Sequence, residues 1–205
     1  MDDPDDTTLL AAWRDGDREA GGQLFDRHFA AVFRFFATKI GDVAAQDLAQ
    51  KTFLAVVEGR DRIRDGVRVR AYVLGVARNQ LLMSLRSRAR KPEVPLEHSC
   101  VDELAPSPVS ALAESQEERA MVRALRRIPL ELQSVIELHY WEQLSTEELA
   151  TILGTSREAI KSRLFRARQQ VRRALAEIAS EDHLPETSVA NFEAWLERLH
   201  ADRDA

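Results

Sequence analysis

A proline-containing segment near the middle of the chain separates two stretches that have helical periodicity. Residues 92–117 contain four prolines, together with serines and acidic residues, and their apolar residues follow no sustained period. This composition is typical of a flexible linker, because proline interrupts helices. A chain of 205 residues is long enough for one or two compact domains. We therefore expect two small domains joined by a flexible acidic linker.

Apolar residues recur at intervals of three and four on both sides of this segment, as they do on one face of a helix. Gly41, Gly59 and Gly66 interrupt the first pattern and mark expected helix ends, and Pro129 interrupts the second. Nothing alternates with period two for long enough to indicate a strand. The whole chain is therefore predicted to be all-α. The apolar positions are Leu24, Phe25, Phe29, Val32, Phe33, Phe36, Leu48, Phe53, Leu54, Val57, Tyr72, Val73, Val76, Leu81, Leu82 and Leu85, then Met121, Val122, Leu125, Ile128, Leu132, Val135, Ile136 and Leu138.

Positive charge is concentrated in two regions of a chain whose net charge is -5. Residues 60–91 contain ten basic and two acidic residues, and residues 156–175 contain seven basic residues and one acidic residue. The acidic linker lies between them. Two basic regions with an acidic spacer indicate a polyanionic partner that is contacted at two places. Each region taken alone is equally compatible with a solvated helix face.

Two short helices are predicted on either side of Gly154. Ser145 followed by Glu148 is a capping-box pattern, which marks a helix start. Thr155 followed by Glu158 repeats this pattern and marks a second start. Two short helices joined by a glycine-containing turn form a helix-turn-helix, whose second helix can enter the major groove of DNA.

The second helix of this motif is predicted to have a buried apolar stripe and an exposed polar side. At about 100° per residue, its apolar residues fall on one narrow stripe. Phe165 lies off this stripe among basic residues, where its ring can contact a thymine methyl group while arginine or lysine binds guanine. Packing against another domain is the alternative role for Phe165. The stripe consists of Ile160, Leu164, Ala167, Val171 and Leu175, and the opposite side carries Ser162, Phe165, Arg166, Gln169 and Arg173, flanked by Arg157 and Lys161.

The sequence around this motif resembles that of a known family. Residues 125–175 are similar, without a gap, to the promoter-binding domain 4 of bacterial RNA polymerase sigma factors of the group IV or extracytoplasmic-function (ECF) type. The stretch KSRLFRAR makes this match more specific than a helix-turn-helix alone. The resemblance implies that the second helix recognises the -35 promoter element, and that Arg163 and Arg168 contact phosphates or neighbouring helices. The implied DNA-contacting residues are Arg157, Lys161, Ser162, Phe165 and Arg166.

The first half of the chain resembles domain 2 of the same family. Its stretch DLAQKTF, residues 47–53, is similar to the motif that docks on the clamp helices of the polymerase β′ subunit. On one helix, the polar residues of this motif would point outward while Leu48 and Phe53 turn inward. An ordinary amphipathic helix would show the same pattern, and the family usually has an acid in place of Lys51. The implied docking residues are Asp47, Gln50 and Lys51.

The first basic region resembles the part of domain 2 that binds the -10 promoter element as its strands separate. Arginines neutralise phosphates and stack on exposed bases, and an aromatic ring such as that of Tyr72 offers a further stacking surface. Tyr72 stands where a tryptophan is common, Gly75 stands where the family often has a basic residue, and Tyr72 is alternatively a core residue. The implied -10-binding residues are Arg64, Arg68, Arg70, Tyr72, Arg78 and Asn79.

The resemblance also implies a division of the chain and a set of partners. Domain 2 would occupy residues 1–91, the linker 92–117, domain 4 residues 118–180 and an acidic C-terminal extension 181–205. The implied partners are promoter DNA, core RNA polymerase, contacted at its β′ clamp helices and β flap, and an anti-sigma factor of the kind that often holds such proteins inactive. Because a flexible linker does not fix the spacing of the two domains, the free chain should bind DNA weakly and in a salt-sensitive way, and specific initiation should need core enzyme.

Other functional classes are disfavoured by the sequence. No apolar run approaches the roughly 20 residues of a membrane-spanning helix, and the acidic N-terminus is unlike a signal peptide, so we expect a cytoplasmic protein without membrane insertion. The five histidines are scattered, there is one cysteine, and motifs for phosphate loops or nucleophiles are absent. We therefore expect no enzyme activity, cofactor or metal site. The alternative function is that of a helix-turn-helix regulator that is not a polymerase subunit.

The C-terminal extension is predicted to contain a short amphipathic helix. Its apolar residues fall on one face and would rarely stay in water. The helix is expected either to pack back on the C-terminal domain or to act as an acidic lid over the basic helix. The apolar residues are Val189, Phe192, Trp195, Leu196 and Leu199.

Overall fold

The computed structural model describes residues 4–63, 68–88, 98–101 and 115–182. Within these ranges the chain forms eight α-helices, one short 3-10 helix and no β-strand, which confirms the predicted all-α class. None of the eight helices is long and apolar enough to cross a membrane. The helices are α1 (Asp6–Arg14), α2 (Arg18–Ile40), α3 (Asp42–Gly59), α4 (Val69–Arg88), α5 (Gln116–Arg126), α6 (Leu130–Tyr140), α7 (Thr146–Leu153) and α8 (Arg157–Glu181), and the 3-10 helix is Arg60–Arg62.

Helices α1 to α4 form the N-terminal half, in which α2 is the longest element. Asp17 caps the start of α2 by accepting hydrogen bonds from two backbone N–H groups. Gly41 ends the helix with a φ of 80°, which glycine adopts without strain. Phe35 and Phe36 of α2 are almost completely buried and belong to an apolar core shared with α3 and α4. The helix end predicted at Gly41 is confirmed.

Gly59, the last residue of α3, allows α4 to pass close to it. The Tyr72 hydroxyl lies 3.4 Å from the Gly59 carbonyl oxygen. A Cβ at position 59 would lie 2.5 Å from that hydroxyl, so a side chain there would force the tyrosine to move. The helix end predicted at Gly59 is therefore confirmed, while Gly66 lies outside the described residues.

Helices α5 to α8 form the C-terminal half, and α8 is its longest element. Ser115 and Ser145 each form a complete capping box, the first with Glu118 at the start of α5 and the second with Glu148 at the start of α7. Pro129 occupies the N-cap position of α6, at the predicted break. The apolar face of α8 packs against α5 and α6, and this packing holds the three helices together.

The start of α8 differs from the prediction by one residue. Ser156 is the N-cap, and its hydroxyl accepts a hydrogen bond from the Ala159 N–H at 3.1 Å. Thr155 belongs to the end of α7 instead, because Gly154 turns the chain into the left-handed conformation and the Thr155 N–H still bonds to a carbonyl oxygen of α7. Ala159 cannot return a hydrogen bond to the cap. The predicted capping box between Thr155 and Glu158 is therefore wrong.

The two halves pack against each other, and we call this packing the closed arrangement. Buried residues of both halves contribute to one continuous apolar cluster, which includes Leu74 of α4 together with Leu149 of α7 and Ile160 of α8. Helices α4 and α7 approach closely, since a Cβ at Gly75 would lie 3.6 Å from Ile152 Cγ2. A Cβ at residue 75 would therefore be in ordinary van der Waals contact with Ile152, which places the α4 backbone at Gly75 one side-chain atom away from α7.

Four residues of the predicted linker, His98–Val101, pack on the C-terminal half, and we call them the linker anchor. Val101 is fully buried in the shared apolar cluster. The Leu130 N–H donates a hydrogen bond of 3.0 Å to the Ser99 carbonyl oxygen. The rest of the linker and the predicted helix of the C-terminal extension lie outside the described residues. The domain boundaries proposed from the sequence therefore stay predictions.

Candidate nucleic-acid interface

The two sides of α8 are separated as the periodicity predicts. Every residue of the predicted apolar stripe is buried, from Ile160 to Leu175. On the other side, Phe165 is 57% exposed, so it packs against no other part of the described chain in the way that a core residue would. We call five exposed residues in the first half of α8 the recognition face; they are Arg157, Lys161, Ser162, Phe165 and Arg166.

The first residue of the recognition face is held by α7. Arg157 Nε lies 2.8 Å from Glu147 Oε1 and 3.2 Å from Thr146 Oγ1. The hydrogen bond from Thr146 and the charge of Arg157 lower the pKa of Glu147. Within the described residues, the side chains of Lys161 and Arg166 form no ion pair. The recognition face therefore presents positive charge to the solvent.

Two further arginines of α8 contact a neighbouring helix. Arg163 Nε lies 3.6 Å from Glu131 Oε2 of α6. Arg168 donates a hydrogen bond of 3.1 Å to the Tyr140 hydroxyl, also of α6. Of the two roles predicted for these residues, the structure thus displays the contact with a neighbouring helix.

Three of the predicted -10-binding residues line one groove between α4 and α7. Arg68, Tyr72 and Asn79 lie along it, and the groove has a volume of about 650 Å³. Tyr72 is half-buried and packs against the apolar core, whereas Arg68 and Asn79 are exposed. The α7 wall is polar and acidic, with the Glu148 carboxylate 3.4 Å from Arg68 Nε. The side of α4 predicted to bind DNA therefore faces the helix-turn-helix.

The remaining predicted -10-binding residues are placed differently. Arg70 and Arg78 are half-buried and do not line the groove, and Arg64 lies outside the described residues. Arg70 Nη2 lies 2.5 Å from Glu142 Oε2, in the turn between α6 and α7. The structure therefore brings Arg68, Tyr72 and Asn79 together and directs Arg70 to an acid of the other half.

Glu142 also binds Arg34, a residue that the sequence patterns do not single out. Arg34 Nε and Nη2 each lie 3.2 Å from Glu142 Oε1. The Glu142 side chain is 2% exposed, whereas Arg34 and Arg70 are about one third exposed. One buried carboxylate of the C-terminal half is thus held by two arginines of the N-terminal half.

A second charged cluster lies deeper between the halves. Lys39 Nζ and Glu137 Oε2 form a buried ion pair, and Glu137 also accepts a hydrogen bond of 2.8 Å from Gln133. Burial lowers the pKa of Lys39 and raises the pKa of Glu137, while the charge of each partner opposes these shifts. Arg126 of α5 donates hydrogen bonds of 3.0 and 2.6 Å to the carbonyl oxygens of Thr38 and Lys39. Arg126 thereby satisfies the C-terminal carbonyl groups of α2 from the other half.

The predicted docking motif lies on an exposed face of α3. Asp47, Gln50 and Lys51 are exposed, and the neighbouring Leu48 and Phe53 are buried, as the helical spacing predicts. Lys51 Nζ lies 2.6 Å from Asp47 Oδ2. The lysine that departs from the family pattern therefore pairs with the acid one turn before it.

Two family models match the chain, one in each half. The model of sigma-70 region 2 matches residues 24–91, and the model of sigma-70 region 4 matches residues 118–171. The first match contains α4, the docking motif and the predicted -10-binding residues, and the second contains the recognition face. A helix-turn-helix regulator outside the polymerase would not carry region 2. The alternative function is therefore not supported.

Curated relatives match this chain at moderate identity. The ECF RNA polymerase sigma factor SigL of Mycobacterium tuberculosis is 32% identical over 159 residues, which cover 76% of this chain and 88% of SigL. The RNA polymerase sigma-E factor of Streptomyces coelicolor is 38% identical over 135 residues, which cover 65% of this chain and 72% of that protein. The ECF sigma factor BldN of the same organism is 29% identical, and this chain spans only 63% of its length.

Solved structures of sigma factors have a similar fold. CnrH, determined in complex with the cytosolic domain of CnrY, has a TM-score of 0.63 and 25% identity, over 84% of this chain and 97% of CnrH. RpoE of Bartonella quintana, determined with the anti-sigma factor NepR, has a TM-score of 0.61 and 24% identity, over 76% of this chain and 96% of RpoE. With both conserved regions present in order and relatives above 30% identity, this chain belongs to the ECF group of the sigma-70 family of RNA polymerase sigma factors.

Proposed function

We propose that the recognition face of α8 binds the -35 element of promoters used by this sigma factor. Lys161 and Arg166 provide charge for phosphates and guanine, and Phe165 provides an apolar surface for a thymine methyl group. The observation that carries this proposal is the exposure of Phe165 between basic residues on a helix whose opposite stripe is entirely buried. A solvated helix face would have no use for an exposed phenylalanine at that position.

The groove side of α4 is proposed to bind the -10 element when its strands separate. Arg68 supplies positive charge, the Tyr72 ring supplies a surface on which a base can stack, and Asn79 supplies an amide for a base edge. These three side chains lie on one side of α4, which supports a common partner.

The exposed face of α3 is proposed to dock on the β′ clamp helices of core RNA polymerase. Asp47, Gln50 and Lys51 form its polar part, and Leu54 is 61% exposed beside them. We further propose that the C-terminal half contacts the β flap, that the chain acts in the cytoplasm by binding alone, and that an anti-sigma factor controls it. The complex of CnrH with the cytosolic domain of CnrY supports a protein partner of this kind.

Run-off transcription with core RNA polymerase on a library of randomised promoters tests this function. Core enzyme with the chain should initiate at a set of sequences with common -35 and -10 elements, and core enzyme alone should not select them. Phe165→Ala should change or weaken the selected -35 element. Met83→Ala is the matched control, because Met83 is also an exposed apolar residue (52%) but lies on α4, outside the recognition face. Selection of the same sequences by core enzyme alone would contradict the proposal.

A further inference from the structure

Glu142 occupies the position of an anion between two arginines of the other half. Its Oε1 atom lies 3.2 Å from both Nε and Nη2 of Arg34, and its Oε2 atom lies 2.5 Å from Arg70 Nη2. Both oxygens of the carboxylate are therefore used by the N-terminal half. The arrangement has the form in which a pair of guanidinium groups holds one oxyanion.

Guanidinium groups bind carboxylates and phosphates through the same planar array of N–H donors. Arg70 lies in the basic region of α4 that is proposed to bind promoter DNA, and Arg34 meets Arg70 at the same carboxylate. Both arginines keep about one third of their surface exposed, so a DNA phosphate could reach them once Glu142 is withdrawn. Arg70 Nε is buried and has no hydrogen-bond partner among the described residues, so Glu142 leaves Arg70 incompletely satisfied.

Buried ion pairs hold the two halves of the closed arrangement in one relative orientation, but they add little to its free energy of formation. The Lys39–Glu137 ion pair and the Glu142 carboxylate are buried, and desolvation offsets most of the attraction in buried ion pairs. The groove of about 650 Å³ between α4 and α7 leaves this part of the interface open. An arrangement of this kind can be displaced by a partner that binds the separated halves better.

We propose that Arg34 and Arg70 together bind one phosphate of promoter DNA, and that Glu142 occupies this phosphate site in the closed arrangement, so that DNA binding by the N-terminal half requires the halves to separate. This proposal rests on the proposed function of α4. It adds Arg34 to the DNA-binding surface and assigns to Glu142 an inhibitory role. The free chain would thus bind DNA weakly because the Glu142 carboxylate competes with the DNA phosphate. This competition adds to the weakening that the flexible linker causes.

Glu142→Gln in the full-length chain is the direct test. The probe is a fluorescein-labelled single-stranded oligodeoxynucleotide of mixed sequence, and its binding is followed by fluorescence anisotropy over a range of salt concentrations. The variant should bind the oligonucleotide at least about fivefold more tightly than the original chain. About fivefold is the lower end of the affinity changes that usually result when two binding events are coupled through a conformational change. The plot of log K against log salt should steepen by about 0.7, the value for one added phosphate contact on a single strand. Unchanged affinity and slope in a folded variant would overturn the proposal.

Glu181→Gln is the matched control for the loss of one negative charge. Glu181 is also in the C-terminal half, but its carboxylate contacts Arg123 and Arg127 of the same half. This variant should bind the oligonucleotide as the original chain does. Equal tightening by both variants would show a general charge effect and would overturn the role of Glu142.

Arg34→Gln in the Glu142→Gln background tests the new binding residue. If Arg34 binds the phosphate, this double variant should lose the added affinity and the added salt slope. Retention of both would remove Arg34 from the site and overturn the proposed pair.

Hydrogen exchange of the original chain keeps the proposal testable if Glu142→Gln does not fold. Saturating oligonucleotide should speed the exchange of backbone amides around Leu149 of α7 and in the last turn of α2, where the side chains are buried in the closed arrangement. Unchanged or slower exchange in both segments would overturn the proposal. Run-off transcription distinguishes a failure of this proposal from a failure of the proposed function. If the chain directs initiation but its halves do not separate, only the proposal about Glu142 is refuted. If the chain directs no initiation, the proposed function is refuted.

Discussion

The two basic surfaces of this sigma factor differ in what the closed arrangement leaves accessible. The recognition face of α8 points to solvent, and its Lys161 and Arg166 form no ion pair with the part of the N-terminal half that the structure describes. The groove side of α4 faces α7, and Arg70 is bound to a buried carboxylate. The two regions have similar charge in the sequence, so charge alone does not determine availability. The positions of a few acidic residues in the C-terminal half determine which basic surface is accessible.

This difference separates two requirements for promoter binding. The recognition face needs only a rigid helix with the correct side outward, and the packing of α8 on α5 and α6 supplies it. The surface of α4 needs a change in how the two halves contact each other. Substitutions in the interface between the halves and on the two sides of α8 therefore separate these two requirements.

Lys39→Met should cost the most stability, because it leaves the Glu137 carboxylate buried without its partner. The expected loss is about 3–5 kcal/mol in free energy of unfolding at neutral pH. Burial raises the pKa of Glu137, and its unfolded-state value is 4.5. A raised folded-state pKa favours the folded state at low pH, so the loss should shrink as the pH falls towards 4.5 and the carboxyl group becomes neutral. Urea unfolding followed by circular dichroism at several pH values measures this.

The control for Lys39→Met is the double variant Lys39→Met, Glu137→Leu. Replacing both charges by apolar groups should recover most of the lost stability, because no unpaired charge then stays buried. A double variant as unstable as Lys39→Met would indicate that packing, rather than the unpaired charge, is responsible.

Leu164→Ala should destabilise the C-terminal half by about 2–5 kcal/mol, because it removes a buried side chain and leaves a cavity. Leu164 is 6% exposed and lies in the stripe that holds α8 in place. Thermal or urea unfolding measures the loss. Phe165→Ala, at the next residue, is the control and should change stability by less than about 0.5 kcal/mol. Similar losses in both variants would contradict the assignment of the two sides of α8.

Phe165→Ala should instead weaken promoter binding by the holoenzyme. Loss of recognition at one base pair of a DNA site costs about 1–3 kcal/mol, which is roughly a 5- to 150-fold change in affinity. Binding of holoenzyme to a selected promoter, compared with the same promoter changed at individual -35 positions, measures it. A uniform loss on all sequences would indicate that Phe165 does not contact bases.

Ser145→Ala should have the smallest effect of the set, a loss of about 1 kcal/mol. Ser145 caps α7 and accepts the Glu148 N–H at 3.2 Å. Because α7 forms one wall of the groove and supports α8, the loss should appear as faster hydrogen exchange at the start of α7. Ser145→Thr, which keeps a capping hydroxyl, should lose less. Equal losses in the two variants would mean that the hydroxyl does not stabilise the helix.

Most of the α8 surface could be predicted from the sequence, because one physical rule determines it. Apolar residues at intervals of three and four, from Ile160 to Leu175, can be buried together on only one side of a helix. The start of α8 was predicted one residue too early, because Thr155 and Ser156 are both good caps and only the turn at Gly154 decides between them. The local sequence pattern thus predicts which side of a helix is buried more reliably than it predicts the residue at which the helix begins.

The closed arrangement could not be predicted, because it depends on charged residues that are 72 to 108 positions apart in the chain. Glu142 has no place in a helical pattern, and nothing in its neighbourhood indicates that Arg34 and Arg70 would meet it. Two other charged residues have neighbours in the sequence that indicate burial. Lys39 stands among apolar residues in FFATKI, and Glu137 does so in SVIELHY, which is typical of charges that pair across a core.

The linker anchor limits how far apart the two halves can travel. Arg88 and His98 are ten residues apart, and even a fully extended chain of that length spans at most about 35 Å. If the anchor leaves the C-terminal half, the span extends from Arg88 to Ser115, and the limit rises to about 95 Å. The buried Val101 side chain and the hydrogen bond between Ser99 and Leu130 therefore set how far the end of α4 can move from the C-terminal half. A larger separation of these two points requires the anchor to leave the C-terminal half, so the anchor limits the spacings of two promoter elements that the chain can bind together.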